Sequence, residues 1–198
     1  MHARWHGRAG GRWGSVLDPL PLLRRAGLSE GASMLDLGSG EGRFSIPAAS
    51  VAARIHAIDV SEDAVRSLAE EAARLGLRNV TAEVGDISGD IGFDGEFDFA
   101  LLANVLHGFR EPSRERVLEN ARRALRPGGR LLVVEFRPDV PSPPGPPNSI
   151  RISPEELEEI ARRIGFEVVD RFEPGPFHYA VVLRRARRAP SKGRPSSG

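Results

Sequence analysis

The residues best placed to do chemistry lie in Leu35-Asp36-Leu37-Gly38-Ser39-Gly40-Glu41-Gly42, where three glycines alternate behind a short apolar run. Glycine allows a tight turn and lets backbone N–H groups approach a ligand closely. Such a turn counts as a ligand site only when it joins a strand to a helix, and the flanking patterns here fit that context. An ordinary strand-to-helix connection is the plainer alternative. Asp59, with Val60 beside it, ends a second apolar run 19 positions after Gly40. A carboxylate at that place in a doubly wound fold accepts both hydroxyls of a ribose. Capping the next helix is its other reading, although Ser61 already stands at the N-cap.

A second group of residues falls at the ends of later apolar runs. Asn104-Val105-Leu106-His107 leaves the fourth, Glu135-Phe136 ends the fifth, and Phe177-His178-Tyr179 opens the last. Neighbouring strands run about 4.8 Å apart, so His107, Glu135 and His178 are expected around one pocket, with one histidine as the candidate proton acceptor. Each also has a plain structural reading. His107 can serve as a loop hydrogen-bonding residue before Pro112, Glu135 can pair with an arginine at the sheet rim, and His178 and Tyr179 can pack with satisfied polar tips. Isolated His107 and Glu135 do not amount to a metal site, and no metal is expected.

The elements that must position these residues follow from the apolar periodicity. Strands are predicted at Ser33–Leu37, Arg54–Val60, Val80–Val84, Phe97–Ala103 and Arg130–Phe136, the last after an Arg126-Pro127-Gly128-Gly129 turn. Helices are predicted at Val16–Leu28, Arg43–Ala52, Ser61–Leu75 and Pro112–Leu125, and from Ser153 to about Ile164. Glu167–Phe172 and Tyr179–Arg184 read as an antiparallel pair around Pro174-Gly175-Pro176. Pro138–Ser149 is too proline-rich for a helix, and is expected to be a wall of the pocket or a plain loop. The fold class is therefore α/β, a Rossmann-like doubly wound, mostly parallel sheet. Its ligands sit beyond the carboxyl ends of the parallel strands.

Composition narrows the function. At 198 residues the chain holds one α/β domain, expected over residues 15–186, between a flexible or lid-like segment 1–14 and a disordered basic tail 187–198. No apolar run approaches the roughly 20 residues of a membrane span, and the basic start lacks the apolar stretch of a secretory signal, so a cytoplasmic location is expected. The absence of cysteine excludes disulfides, thiolate metal sites and cysteine nucleophiles. The net charge of +1 is uneven, because all 27 acidic residues lie between Ser15 and Leu183 while basic residues cluster at both ends. An acidic body with basic ends is not the broad basic face of a nucleic-acid reader.

Together these motifs resemble, in order from Ser33 to about Arg184, those of class I S-adenosylmethionine-dependent methyltransferases. The resemblance implies a seven-stranded sheet in order 3-2-1-4-5-7-6 with strand 7 antiparallel. It also implies that Asp36 and the turn carrying Gly38, Ser39, Gly40 and Gly42 hold the methionine portion of S-adenosyl-L-methionine. Asp59 and Val60 would take the ribose side, Asp86 and Ile87 of Gly85-Asp86-Ile87 would bracket adenine, and Asn104 would stand near the methyl group. A nicotinamide dinucleotide is the competing ligand, but its fingerprint wants a third glycine where Arg43 stands. Asn-Val-Leu-His, Val-Val-Glu-Phe and Gly-Pro-Phe-His-Tyr are similar to the small methyltransferases of the ubiquinone and menaquinone biosynthesis type. That similarity implies a small-molecule acceptor, and the absence of cysteine excludes the neighbouring arsenite branch, whose chemistry needs it. An RNA or protein methyltransferase anchored by its basic ends, and a non-catalytic cofactor-binding module, are the other readings. Oligomeric state is not encoded.

Overall fold

The structure, a computed structural model, describes residues 17–187. The expected segment 1–14, and the expected tail from residue 188 onward, lie outside the described residues. Seven strands form one sheet: β1 (Ser33–Leu37), β2 (Arg54–Asp59), β3 (Val80–Val84), β4 (Phe97–Ala103), β5 (Leu125–Phe136), β6 (Phe166–Gly175) and β7 (His178–Arg185). Their order is β3-β2-β1-β4-β5-β7-β6, with the first five parallel and β7 antiparallel to both neighbours. The predicted topology is the observed one. Because the chain moves outward from β1 to β3 and then returns to β4 on the other side of β1, the loops after β1 and β4 diverge. That divergence opens a crevice at the carboxyl edge of the sheet.

Helices α1 (Pro19–Ala26), α2 (Ser45–Ala48), α3 (Glu62–Arg74), α4 (Ser113–Ala124) and α5 (Pro154–Arg163) cover the sheet. Alternation along the strands assigns each residue to a face. Leu131 and Val133 join Ala100 and Leu102 in a core closed by Val117, Leu118 and Ala121 of α4 and by Leu157 and Ala161 of α5. Leu132 and Val134 join Phe99 and Leu101 beneath Leu22 and Leu23 of α1 and Ala48 of α2. The same alternation sends Glu135 toward the α4–α5 side and Phe136 toward the α1–α2 side at the end of β5. α3 and α5 start where the sequence indicates: the Ser61 hydroxyl accepts from the Ala64 amide at 3.3 Å and the Ser153 hydroxyl from the Glu156 amide at 3.1 Å.

Three element boundaries differ from expectation for local reasons. The helix expected over Arg43–Ala52 is reduced to the four residues of α2, because Pro47 supplies no amide donor and the Ser50 hydroxyl turns back to the Pro47 carbonyl at 2.8 Å. β5 begins at Leu125, five residues early. Its Arg126–Gly129 turn is absorbed as an irregularity, with Phe97 pairing Leu125 and Phe99 pairing Arg130. β6 runs on to Gly175, which pairs with His178 and narrows the hairpin to Pro176-Phe177. The 138–149 stretch ends in a single 3-10 turn, Asn148–Ile150. Among the described residues no helix is long and apolar enough to cross a membrane.

Candidate functional site

The glycine turn crosses the end of β2. The amides of Gly38 and Ser39 both donate to the Ile58 carbonyl, at 2.8 and 3.1 Å. Gly38, Gly40 and Gly42 have φ of 79°, 53° and 86°, a region other residues seldom enter. A Cβ at Gly38 would come within 2.6 Å of Val105, whereas one at Gly40 would meet open space. The free volume of the turn is thus at Gly40, beside Asp59. The Gly40 amide donates to Asp59 Oδ2 at 2.8 Å, and the Ser61 amide donates to Oδ1 at 2.9 Å. Asp59 therefore fixes both the turn and the approach to α3. Each of its oxygens retains a lone pair for a further donor such as a hydroxyl. Val60 projects next to it, 69% exposed, an apolar surface suited to one face of a purine.

Asp36, on the fully buried β1, takes a hydrogen bond at 2.6 Å from the hydroxyl of Ser45 in α2. Burial pushes its carboxyl up to about 7, against the Ser45 bond that lowers it and with the Asp59 charge adding to the rise. A carboxyl in that state is stabilised in its ionised form by an arriving cation. Asn104, at the end of β4, is the one non-glycine residue with positive φ among the described residues, at 58°. Its side-chain oxygen is buried without a hydrogen-bond partner among the described residues. An unpaired buried carbonyl costs about 1–3 kcal/mol, and an asparagine in the left-handed region is worth inspecting for function. Asp86 is exposed and takes the Ser88 amide and hydroxyl at 2.8 and 2.7 Å, which shapes the loop after β3. Ile87 is packed into the core and Ser39 is mostly buried in the turn, so Val60 is the open apolar residue of the set.

These groups match the parts of S-adenosylmethionine. Asp36 and the orphaned Asn104 oxygen would receive the ammonium, Asp59 the ribose diol and Val60 the adenine face. The opening at Gly40 leaves room for the chain of the ligand between them.

At the far rim the three expected chemical residues separate into a pair and a single. Glu135 is 1% exposed. Its Oε1 accepts the amides of Val105 and Leu106 at 2.8 and 2.6 Å, and its Oε2 lies 2.8 Å from Nδ1 of His107. An ionised carboxylate can only accept, so in the neutral imidazole this contact selects the tautomer with the proton on Nδ1 and the lone pair on Nε2. Among the described residues Glu135 has no arginine partner; it builds the loop that carries His107 and sets the ring. His178 pairs in register with Phe136, and their rings pack with centroids 4.1 Å apart, while His107 meets the same phenyl ring edge-on at 6.5 Å. Tyr179 is satisfied, its hydroxyl donating to the Ile152 carbonyl at 3.0 Å. His178 is not: it is 5% exposed and neither ring nitrogen has a partner among the described residues. Burial lowers its pKa to about 4, with the charges of Arg43, Arg151 and His107 adding to that and Glu135 opposing it.

Two further residues shape this region, and neither stands in a sequence motif. Ser45 comes nine positions after Asp36, so only the path of the turn brings them together. Arg151, a lone cation between two isoleucines, is 8% exposed and donates to the carbonyls of Arg137, Val140, Pro144 and Pro146 at 2.6–3.0 Å. A charged residue isolated among apolar ones after a proline stretch was the available hint.

Comparison with known proteins agrees with this geometry. A family model described as a methyltransferase domain matches residues 28–167, well over half the chain. The 2-heptyl-1-hydroxyquinolin-4(1H)-one methyltransferase of Mycobacteroides abscessus is 30% identical over 146 residues, which is 71% of this chain and 61% of that protein. The ubiquinone biosynthesis O-methyltransferase of Caulobacter vibrioides is 34% identical over 108 residues, covering 52% of this chain and 40% of that one. The chain thus spans less than two thirds of the length of these relatives. A solved SAM-dependent methyltransferase from Aquifex aeolicus superposes with a TM-score of 0.78 at 27% identity, covering 86% of this chain and 91% of the other. The chain belongs to the methyltransferase family, in its S-adenosylmethionine-dependent, Rossmann-like form.

Proposed function

We propose that the protein is a cytoplasmic enzyme that transfers the methyl group of S-adenosylmethionine to a nucleophilic atom of a small organic acceptor, with His107 taking up the acceptor's proton. The observation that carries this reading is the Glu135–His107 pair, in which the β5 carboxylate lies 2.8 Å from the ring on the loop that begins at Asn104. When bound, the cofactor supplies an electrophilic methyl carbon, whose bond to sulfur breaks as the bond to the acceptor forms. The chain's own residues do the rest. Asp36, Asn104 and Asp59 hold the cofactor's polar groups, and the glycine turn brings it against backbone. Glu135 fixes the His107 tautomer whose Nε2 accepts a proton. Alignment of this kind supplies up to roughly 7–11 kcal/mol of a barrier, and a placed base another 10²–10⁴-fold in rate.

A small acceptor is favoured by the negative body of the chain and by the quinolone substrate named for the Mycobacteroides relative. The test is turnover across a panel of small hydroxylated acceptors with wild type, His107→Ala and Glu135→Gln. Both variants are expected to lose about 100-fold or more in kcat while keeping their affinity for S-adenosylmethionine. Unchanged kcat in His107→Ala would remove the base from the account. Cofactor binding without turnover on any acceptor would favour the non-catalytic binding module.

A further inference from the structure

Phe136, His178 and Arg151 form a cluster that the transfer step does not use. Phe136 is half-buried between the proline-rich loop and β7. A Cβ on Gly145, whose φ is 86°, would come within 2.5 Å of the phenyl ring, so the loop backbone is pressed against it. The Arg151 guanidinium lies 5.4 Å from the centre of the same ring. That cation is buried, its hydrogen bonds go to carbonyl oxygens, and among the described residues no carboxylate pairs with it. His178, packed on Phe136 with the rings tilted by 40°, has two buried ring nitrogens without partners among the described residues, at the carboxyl rim of the sheet.

We propose that Phe136, His178 and Arg151 are the acceptor-recognition subsite, and that it takes a planar conjugated ring bearing an acidic oxygen, of the phenol or enol class. The inference rests on the methyl-transfer reading above and names its substrate class. An aromatic wall selects a flat ring. A buried guanidinium solvated only by carbonyl dipoles leaves positive potential that favours a ligand able to carry negative charge. His178 offers one donor and one acceptor, and its burial keeps it neutral near pH 7, so it recognises the ligand rather than taking its proton. The two histidines thereby divide their tasks on either side of Phe136, with His107 near the transferring methyl and His178 at the recognised oxygen or a ring substituent.

The experiment titrates 4-nitrophenol, cyclohexanol and butylamine into the protein saturated with S-adenosylhomocysteine, following calorimetric heat and, for 4-nitrophenol, the phenolate absorbance. Saturable 4-nitrophenol binding is expected, with the phenolate band enriched at fixed pH, and with far weaker binding of the two saturated probes. His178→Phe keeps a ring packed on Phe136 and removes the polar edge. It is expected to weaken 4-nitrophenol about tenfold or more while leaving the S-adenosylhomocysteine affinity unchanged. Cyclohexanol binding as tightly as 4-nitrophenol overturns the proposal, a contrast that needs no variant to fold. Binding of S-adenosylhomocysteine without 4-nitrophenol also overturns it and leaves methyl transfer standing. Failure to bind S-adenosylhomocysteine overturns both.

Discussion

At the scale of single residues, Asp36 links the cofactor to protons. Burial holds its carboxyl proton to about pH 7, so a cofactor ammonium that settles beside it must displace that proton in acid. S-adenosylmethionine affinity is therefore expected to fall as pH drops below about 7, approaching tenfold per pH unit, and Asp36→Asn is expected to flatten that slope in calorimetric titrations. Without cofactor the sign reverses. The folded chain binds this proton more tightly than the unfolded chain does, so this group makes the fold less stable as pH rises from about 4 to about 7. Asp59 was legible because it ends an apolar run 19 positions after Gly40, and Asp36 and Asn104 through the resemblance of their motifs to those of the methyltransferases. The roles of Glu135, His178 and Arg151 were not legible in the same way. Glu135 is committed to two amides thirty residues away, and Arg151 finds its partners through the path of a loop, neither of which spacing encodes.

At the scale of elements, the proline-rich 138–149 stretch is shaped by one side chain. Arg151 gathers its Val140, Pro144 and Pro146 carbonyls together with that of Arg137 just before it, and the Asn148 side-chain amide donates to the Pro138 carbonyl and to the same Val140 oxygen, at 2.8 and 2.7 Å. Arg151→Met would leave buried carbonyls unpaired in a segment with few amides of its own. We expect it to lower unfolding stability by at least about 3 kcal/mol, with early proteolysis inside 138–150. An unchanged denaturant midpoint would mean that the prolines alone set the loop. The strands were readable to within a residue or two where burial on both faces gives continuous apolar runs, as in β1 and β4. The short α2 was not, since Ser50 and Pro47 compete locally with a pattern that otherwise looks helical.

At the scale of the whole molecule, the strand order does the organising. It places the loop after β1, with Gly40, next to the end of β2, with Asp59, and opens the crevice toward Asn104 after β4. The antiparallel β7 then delivers His178 to the rim of β5, beside Phe136, so residues from distant parts of the chain meet at one edge. The doubly wound sheet with an antiparallel edge followed from the alternation of strands and helices, because connections in such sheets are strongly restricted, and the strand order followed from the resemblance to the methyltransferases. The identity of the ligand depended on finer features, namely Arg43 in place of a third glycine, the exposed Val60 and the unpaired Asn104 oxygen. The central claim is that this crevice holds S-adenosylmethionine. Calorimetric titration of the purified chain with S-adenosylmethionine, S-adenosylhomocysteine and NAD measures it directly. Saturable binding of the first two with no measurable heat from NAD is the predicted result, and tighter binding of NAD than of either would contradict it.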